Sequence, residues 1–291
     1  MTEISAAAVK ALRDQTGAGM MDCKRALSDA GGDVEKAGAL LRERGLAKAV
    51  KRGGRETSEG AIALATRGAA GALVELGCET DFVAKTEDFQ KLVQSFAAAA
   101  AADPKLASAE ALAEAVVGGT KVSEQVSAAI ARLGENVVLK RCARLQVDGP
   151  GVVAGYVHAG GKLGVLVGLR TSGDAGQAGA LGRDLAMHVA AHDPSPLAVD
   201  RSGVPSDVVE KERAIFRAQA EGSGKPPPVI EKIVDGRVNK FYAEVCLLEQ
   251  GFVKDPDRTV GDLLRDAGKK LGAEVGVSGF LRFRLGEAAS A

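Results

Sequence analysis

The sequence predicts an α+β fold: a three-helix N-terminal unit followed by two related α+β subdomains, the second with an inserted helical hairpin. Three observations carry this reading. Apolar residues recur at helical spacing through the first fifty residues and stop at glycines. Alternating apolar runs then flank glycine turns twice, at 60–76 and at 152–169, and a helical stretch follows each. At 291 residues the chain also exceeds what one small core organises, so two or three domains are expected. Boundaries fall at 1–55, 56–147 and 148–291.

Taken in order, Ser5 is placed to cap a first helix ending near Thr16, with Val9 and Leu12 on its inner face. Gly17 and Gly19 supply a tight loop, and a second helix from Met21 to about Ala30 stops at Gly31-Gly32. Asp33 caps a third helix through Leu40, Leu41 and Leu46, and Lys48 to Arg55 is expected to be a linker. Ile62, Leu64, Leu73, Val74 and Leu76 flank the turn Arg67-Gly68-Ala69-Ala70-Gly71 as a hairpin. A helical block is expected from Thr86 to about Leu133, broken at Asp103-Pro104 and Gly118-Gly119. Strand patterns return at Val137–Val147, Val152–Val157 and Leu163–Leu169, then a helix from about Asp174 to Ala191. The hairpin–loop–helix order at 60–100 and 152–192 suggests a duplicated subdomain. Two charged helices between about 207 and 242, split by Gly224-Lys225-Pro226-Pro227-Pro228, read as a projecting hairpin, either a dimer surface or a partner contact. A helix near Val260–Leu271, a strand near Gly279–Leu285 and a frayed tail from Gly286 close the chain.

Composition narrows the function classes. Hydrophobic residues at 46% and charged residues at 26% describe a globular chain rather than a disordered one. Lys plus Arg and Asp plus Glu both total 38, so the basic excess of a dedicated nucleic-acid binder is missing. With aromatics at 3% and no Trp, stacking platforms for single-stranded nucleic acid are not expected either. Cys23, Cys78, Cys142 and Cys246 are far apart and form no C-x-x-C pair, which reads as buried thiols in a reducing compartment. No signal-like or membrane-spanning run is visible, so the expectation is a cytoplasmic chain with no membrane partner.

The usual chemical constellations are missing. Gly222-Ser223-Gly224-Lys225-Pro226 fails as a phosphate loop because Pro follows the Lys and the upstream Gly is absent; no G-x-G-x-x-G or G-x-S-x-G occurs. His188 and His192 stand four apart on one predicted helix, which is metal-ligand spacing, but no third ligand is suggested beyond Asp193, and neither metal nor cofactor is expected. The run Arg42, Arg44, Lys48, Lys51, Arg52, Arg55 could touch RNA, although Glu43 and Glu56 dilute it and solvated linkers often look alike. The chain is therefore expected to work by gripping another protein and not as an enzyme.

Two segments stand out. Thr16-Gly17-Ala18-Gly19-Met20-Met21-Asp22-Cys23-Lys24 sets two adjacent methionines at a loop-to-helix junction, where at least one must face solvent. Glu75-Leu76-Gly77-Cys78-Glu79-Thr80-Asp81-Phe82-Val83-Ala84-Lys85 ends a strand in acidic residues followed directly by Phe-Val; by residue type alone Phe82 is core or contact. Together they resemble the two signature stretches of bacterial elongation factor Ts. The likeness continues through Tyr156-Val157-His158, Ala186-Met187-His188-Val189-Ala190, Val209-Glu210-Lys211-Glu212, Thr259-Val260-Gly261-Asp262-Leu263-Leu264 and Gly279-Phe280-Leu281-Arg282-Phe283. Gly77 departs from it, since Asn is usual there, and the chain ends soon after Gly286-Glu287 where some members carry a further helix.

The resemblance implies a nucleotide exchange factor for the GTPase elongation factor Tu. It also implies that the N-terminal unit is a ubiquitin-associated-like domain that docks through Met20 and Met21. Asp81 and Phe82, within Thr80–Val83, would push in near the partner's Mg²⁺ site, and His158 would meet the partner's other domains. No direct nucleic-acid contact is implied, and a homodimer is left open. An RNA-associated translation protein using residues 42–55 is the rival reading, with a His188/His192 metalloenzyme a remote third.

Overall fold

The computed structural model describes residues 4–222 and 224–287; Ser223 of the rejected phosphate-loop stretch and tail residues 288–291 lie outside them. Helices α1 (Ala6–Thr16), α2 (Met20–Asp29) and α3 (Val34–Arg52) form the N-terminal unit. Ser5 caps α1 by accepting the Ala8 N–H, and Gly17 ends it in the left-handed conformation at φ 65°. The shared core is small: Val9, Leu12, Cys23, Ala26, Leu27 and Ala37. The third helix corrects the expectation of a linker from Lys48, since it continues to Arg52 before Gly53-Gly54 stop it. Lys and Arg are good helix formers, so a basic run is no obstacle.

The body contains two sheets with one topology. Strands β1 (Glu59–Arg67) and β2 (Ala70–Cys78) form a hairpin around Gly68-Ala69, two residues rather than the five-residue turn of the pattern. The chain continues through α4 (Asp81–Ala84), α5 (Glu87–Ala102), α6 (Ala109–Glu114), β3 (Val116–Val117), β4 (Thr120–Lys121) and α7 (Val122–Leu133). Strand β5 (Val137–Gln146) then pairs antiparallel with β2, giving the order β1-β2-β5. The second unit repeats the plan. Strands β6 (Gly151–Val157) and β7 (Leu163–Arg170) form a hairpin and α8 (Ala175–Ala191) follows. After α9 (Ser206–Glu221), α10 (Pro227–Val245), β8 (Gly251–Phe252), β9 (Asp255–Thr259) and α11 (Val260–Leu271), strand β10 (Gly276–Arg284) adds to β7 in the order β10-β7-β6. The helical block expected at 86–133 is interrupted at both expected places, and at the second the chain forms the small β3–β4 hairpin, whose Gly118 and Gly119 both have positive φ, as its tight turn requires.

The sheets stack face to face between outer helices. Ala61, Ala63, Val74 and Leu76 face α5, packing on Phe89, Val93 and Phe96. The opposite face supplies Ile62 and Leu73, which meet Val153, Leu166 and Phe283 of the second sheet. All nine residues of β2 are buried, because this strand is covered on both sides. Glycines bring the sheets together: a Cβ at Gly164 would sit 2.7 Å from an Ile62 methyl. A buried ion pair within the first sheet also reaches across the seam. Glu75 of β2 accepts from Arg141 Nε at 2.7 Å, and Arg141 Nη2 donates to the Arg284 carbonyl of β10 at 2.7 Å. Helix α3 packs along α7, where Gly45 lies against Ala131 and Arg52 Nη1 reaches the Ile130 carbonyl at 3.0 Å. Helices α9 and α10 form an antiparallel pair around Ala220, Ile230, Val234 and Val238, tied by Arg213–Asp235 at 2.7 Å and Arg217–Glu231 at 2.9 Å.

Candidate functional site: a clamped corner carrying an exposed phenylalanine

Strand β2 ends at Cys78, and two residues later Thr80 caps the single turn α4 by accepting the Val83 N–H at 3.4 Å. Val83 and Ala84 point into the core beneath the first sheet. Phe82 is left 80% exposed, which excludes the core reading of this ring. So large an apolar side chain gains nothing from the fold, and its burial is available to a partner.

The corner is fixed from behind by residues half the domain away in sequence. Glu135, in the loop between α7 and β5, accepts from the Thr80 backbone N–H at 2.9 Å and the Thr80 hydroxyl at 2.6 Å. The neighbouring pair works in reverse: Glu79 accepts the Asn136 N–H at 2.6 Å, and Asn136 Nδ2 donates to the Arg55 carbonyl at 2.8 Å. The Asn136 N–H holds the Glu79 carboxyl below its ordinary range, with Arg55 adding to the effect. Asp81 pairs with Lys85 one turn on at 2.6 Å, and that bond, supported by the charge of Lys162, keeps its carboxyl below the usual range. Both partners stand largely in water, so the pair contributes little stability and Asp81 is easily released to another contact.

The other residues singled out by sequence are also exposed. Met20 and Met21 are 58% and 65% exposed at the start of α2. His158 stands exposed on the β6–β7 turn, its Nδ1 3.0 Å from the Tyr156 hydroxyl, while its backbone N–H is bound to the Leu163 carbonyl. The fold brings the corner and this turn to one end of β1, where Lys162 pairs with Glu59 at 2.7 Å and its charge reaches Asp81. The methionines connect less directly: Gly17 lies against Arg132, whose guanidinium meets Asp88 of α5 at 3.5 Å. Glu135 and Asn136 were missed by sequence reasoning. Nothing in local spacing links positions 55 residues apart.

The remaining candidates resolve into structure. His188 is fully buried: its Nδ1 accepts the Val253 N–H at 3.2 Å and its Nε2 faces Gln250 Oε1 at 3.0 Å. Burial lowers its pKa, consistent with a neutral ring carrying its proton on Nε2. Neither nitrogen has a lone pair free for a metal, and His192 Nδ1 is engaged with the Pro194 carbonyl at 2.9 Å. Among the described residues no group of three His, Cys, Asp or Glu side chains converges. In the basic run, Arg44 pairs with Asp29, Arg52 binds the Ile130 carbonyl and Arg55 meets Glu79 at 3.3 Å. All four cysteines are buried and free, and burial pushes the Cys78, Cys142 and Cys246 thiols up to about 11. No helix among the described residues is long and apolar enough to cross a membrane.

Comparison with known proteins places this chain among the translation elongation factors. The model of the family described as Elongation factor TS matches residues 79–287. The chain is 49% identical to the elongation factor Ts of Maricaulis maris, over 99% of this chain and 93% of that one. It is similarly 49% identical to that of Brucella anthropi, over 98% and 93%, and 48% identical to that of Agrobacterium fabrum, over 99% and 94%. The chain belongs to the elongation factor Ts family.

Proposed function

We propose that this chain is a guanine nucleotide exchange factor that binds elongation factor Tu carrying GDP and speeds GDP release during translation elongation in the cytoplasm. The observation that carries the proposal is Phe82, 80% exposed on a turn that Thr80, Val83 and Glu135 hold rigid. In a GTPase, Mg²⁺ bridges the phosphate oxygens, so a partner that disturbs the metal and phosphate site loosens the nucleotide. Phe82 supplies apolar area to insert, and Asp81 brings a negative charge beside phosphates that already repel it. Val83 anchors the turn, Thr80 caps it, and Met20, Met21 and His158 dock. Such a protein needs no bond-making side chain, because linkage does the work: whatever weakens GDP binding is weakened by GDP to the same degree. The RNA reading loses ground, since Arg44, Arg52 and Arg55 are engaged within the chain.

The test is Phe82→Ala. Fully burying a Phe ring is worth about 1.5–3 kcal/mol, so losing about 2 kcal/mol of insertion energy slows GDP release roughly 30-fold. An exposed ring removed from the free protein shifts folding stability by no more than about 0.5 kcal/mol. Wild-type release rates from a folded Phe82→Ala protein would refute the insertion mechanism.

A further inference from the structure

Beside His158 the seam between the two sheets opens into a cleft of about 480 Å³. Its floor is the edge of β1 around Leu64 and the edge of β6 around Gly155; Gln94 of α5 and Arg183 of α8 stand on its walls. Strands β1 and β6 are each the outermost strand of their sheet on this side. The seam is closed by backbone bonds at its two ends, where Ile62 N–H donates to the Gly161 carbonyl at 2.7 Å and Val153 N–H to the Gly68 carbonyl at 2.9 Å. Residues two apart on a strand point their backbone groups the same way, so Leu64 follows Ile62, and Gly155 follows Val153, out of the sheet edges. Into this gap the Gln94 side-chain amide donates to the Leu64 carbonyl at 2.9 Å, a side chain standing where a neighbouring strand would. Gly155 lets the β6 edge approach β1 at the cleft floor, since a Cβ there would come within 2.8 Å of Leu64 and Leu166 methyls. An edge of this kind is a template for an added extended segment.

The charge of the cleft selects the segment. Among the described residues no acidic side chain lines it, and Arg183 is the one formally charged lining residue. Arg183 is exposed and makes no hydrogen bond or ion pair among the described residues, whereas Arg201, Arg213, Arg217 and Arg258 are all paired. A guanidinium left free beside an open strand edge recognises a carboxylate through two parallel N–H donors. The wall is also joined to the clamped corner, because Gln90 of the same helix donates to the Ala84 carbonyl at the end of α4 at 2.6 Å.

We infer that this cleft receives an extended acidic segment of the partner protein, laid along the β1 and β6 edges with its carboxylate on Arg183. This rests on the exchange-factor reading and adds a second anchor to the Phe82 contact. The test measures affinity for elongation factor Tu directly, and through the concentration giving half-maximal GDP release, for wild type, Arg183→Glu, Arg183→Lys and the control Arg170→Glu. Arg170 is exposed on β7 outside the cleft and undergoes the same charge change. Arg183→Glu is expected to weaken binding about tenfold or more, the worth of one charge-assisted hydrogen bond, with Arg183→Lys in between and Arg170→Glu near wild type. Wild-type affinity for Arg183→Glu, or an equal loss in Arg170→Glu, overturns the inference. So does an Arg183→Glu protein that loses only RNA retention or only self-association. A wild-type chain that leaves GDP release unchanged instead sinks the exchange reading, so the two failures are separable.

Discussion

Glu135→Ala removes the clamp behind the exposed phenylalanine while leaving Phe82 itself in place. The substitution strips the acceptor from the Thr80 N–H at 2.9 Å and from its hydroxyl at 2.6 Å. Hydrogen bonds to a charged group are worth about 1.5–3 kcal/mol each. The two share one carboxylate and the freed hydroxyl can turn to water, so we expect about 2 kcal/mol in all, a loss of about 4–8 °C in melting temperature for a chain of this size. The larger effect is local. With Thr80 released, the turn holding Asp81 and Phe82 frays, and amide exchange across Thr80–Ala84 accelerates while β7 stays protected. Cys78 supplies an independent readout. Its thiol is pushed up to about 11 by burial first and by the Glu135 charge second, and its Sγ donates to the Thr80 carbonyl at 3.1 Å. Losing Glu135 therefore makes Cys78 more acidic and more accessible, and alkylation mapped by mass spectrometry rises there but not at Cys246. GDP release from elongation factor Tu should fall about tenfold, equal to about 1.4 kcal/mol, although Phe82 is intact. A folded Glu135→Ala protein with unchanged Cys78 alkylation and unchanged release would refute the clamp.

Three further outcomes are expected. Met20→Ala combined with Met21→Ala should leave the melting temperature within a few degrees, both side chains being exposed, yet weaken docking about tenfold in a binding titration; unchanged affinity would remove the α2 start from the interface. Burial depresses the folded-state pKa of His188, so its contribution to stability is present above the ordinary imidazole value of about 6.5 and is lost as pH falls below it. Melting curves between pH 7.5 and 5 should show that loss in wild type and a weaker one in His188→Gln. Gly77→Asn should cost about 1 kcal/mol, because its Cβ would lie 2.6 Å from Lys140 Cε and displace the Lys140 bond to the Thr57 carbonyl. In a Lys140→Ala background that cost should largely vanish, and full additivity in the thermal-melt cycle would contradict the explanation.

How much of this the sequence disclosed follows the range of the forces involved. Ser5, Gly17 and Asp33 mark the N-terminal helices because caps act within four residues, and the structure uses all three. The repeated hairpins were legible from period-two patterning, and the shared strand order explains why the pattern recurs. The misreadings were of glycine and of charge. Gly118-Gly119 marks the expected break between helices but also turns a short hairpin that the pattern does not show, and the basic residues after Leu46 suggest a linker where they continue α3. In the site, Phe82 could not be assigned by residue type, since a Phe at a strand–helix corner is commonly core. Its exposure follows from Val83 and Ala84 taking the inward positions of α4. Glu135 and Arg183 carried no local signal at all: one acts on Thr80 across 55 residues, and the other reaches the cleft only because α8 packs on β6.

The most direct test of the central claim is the release of fluorescent GDP from elongation factor Tu, followed by stopped flow at fixed Mg²⁺ as the concentration of this chain is raised. The account predicts a release rate that climbs with concentration and levels off, as a bound intermediate requires. A release rate independent of the chain's concentration contradicts it.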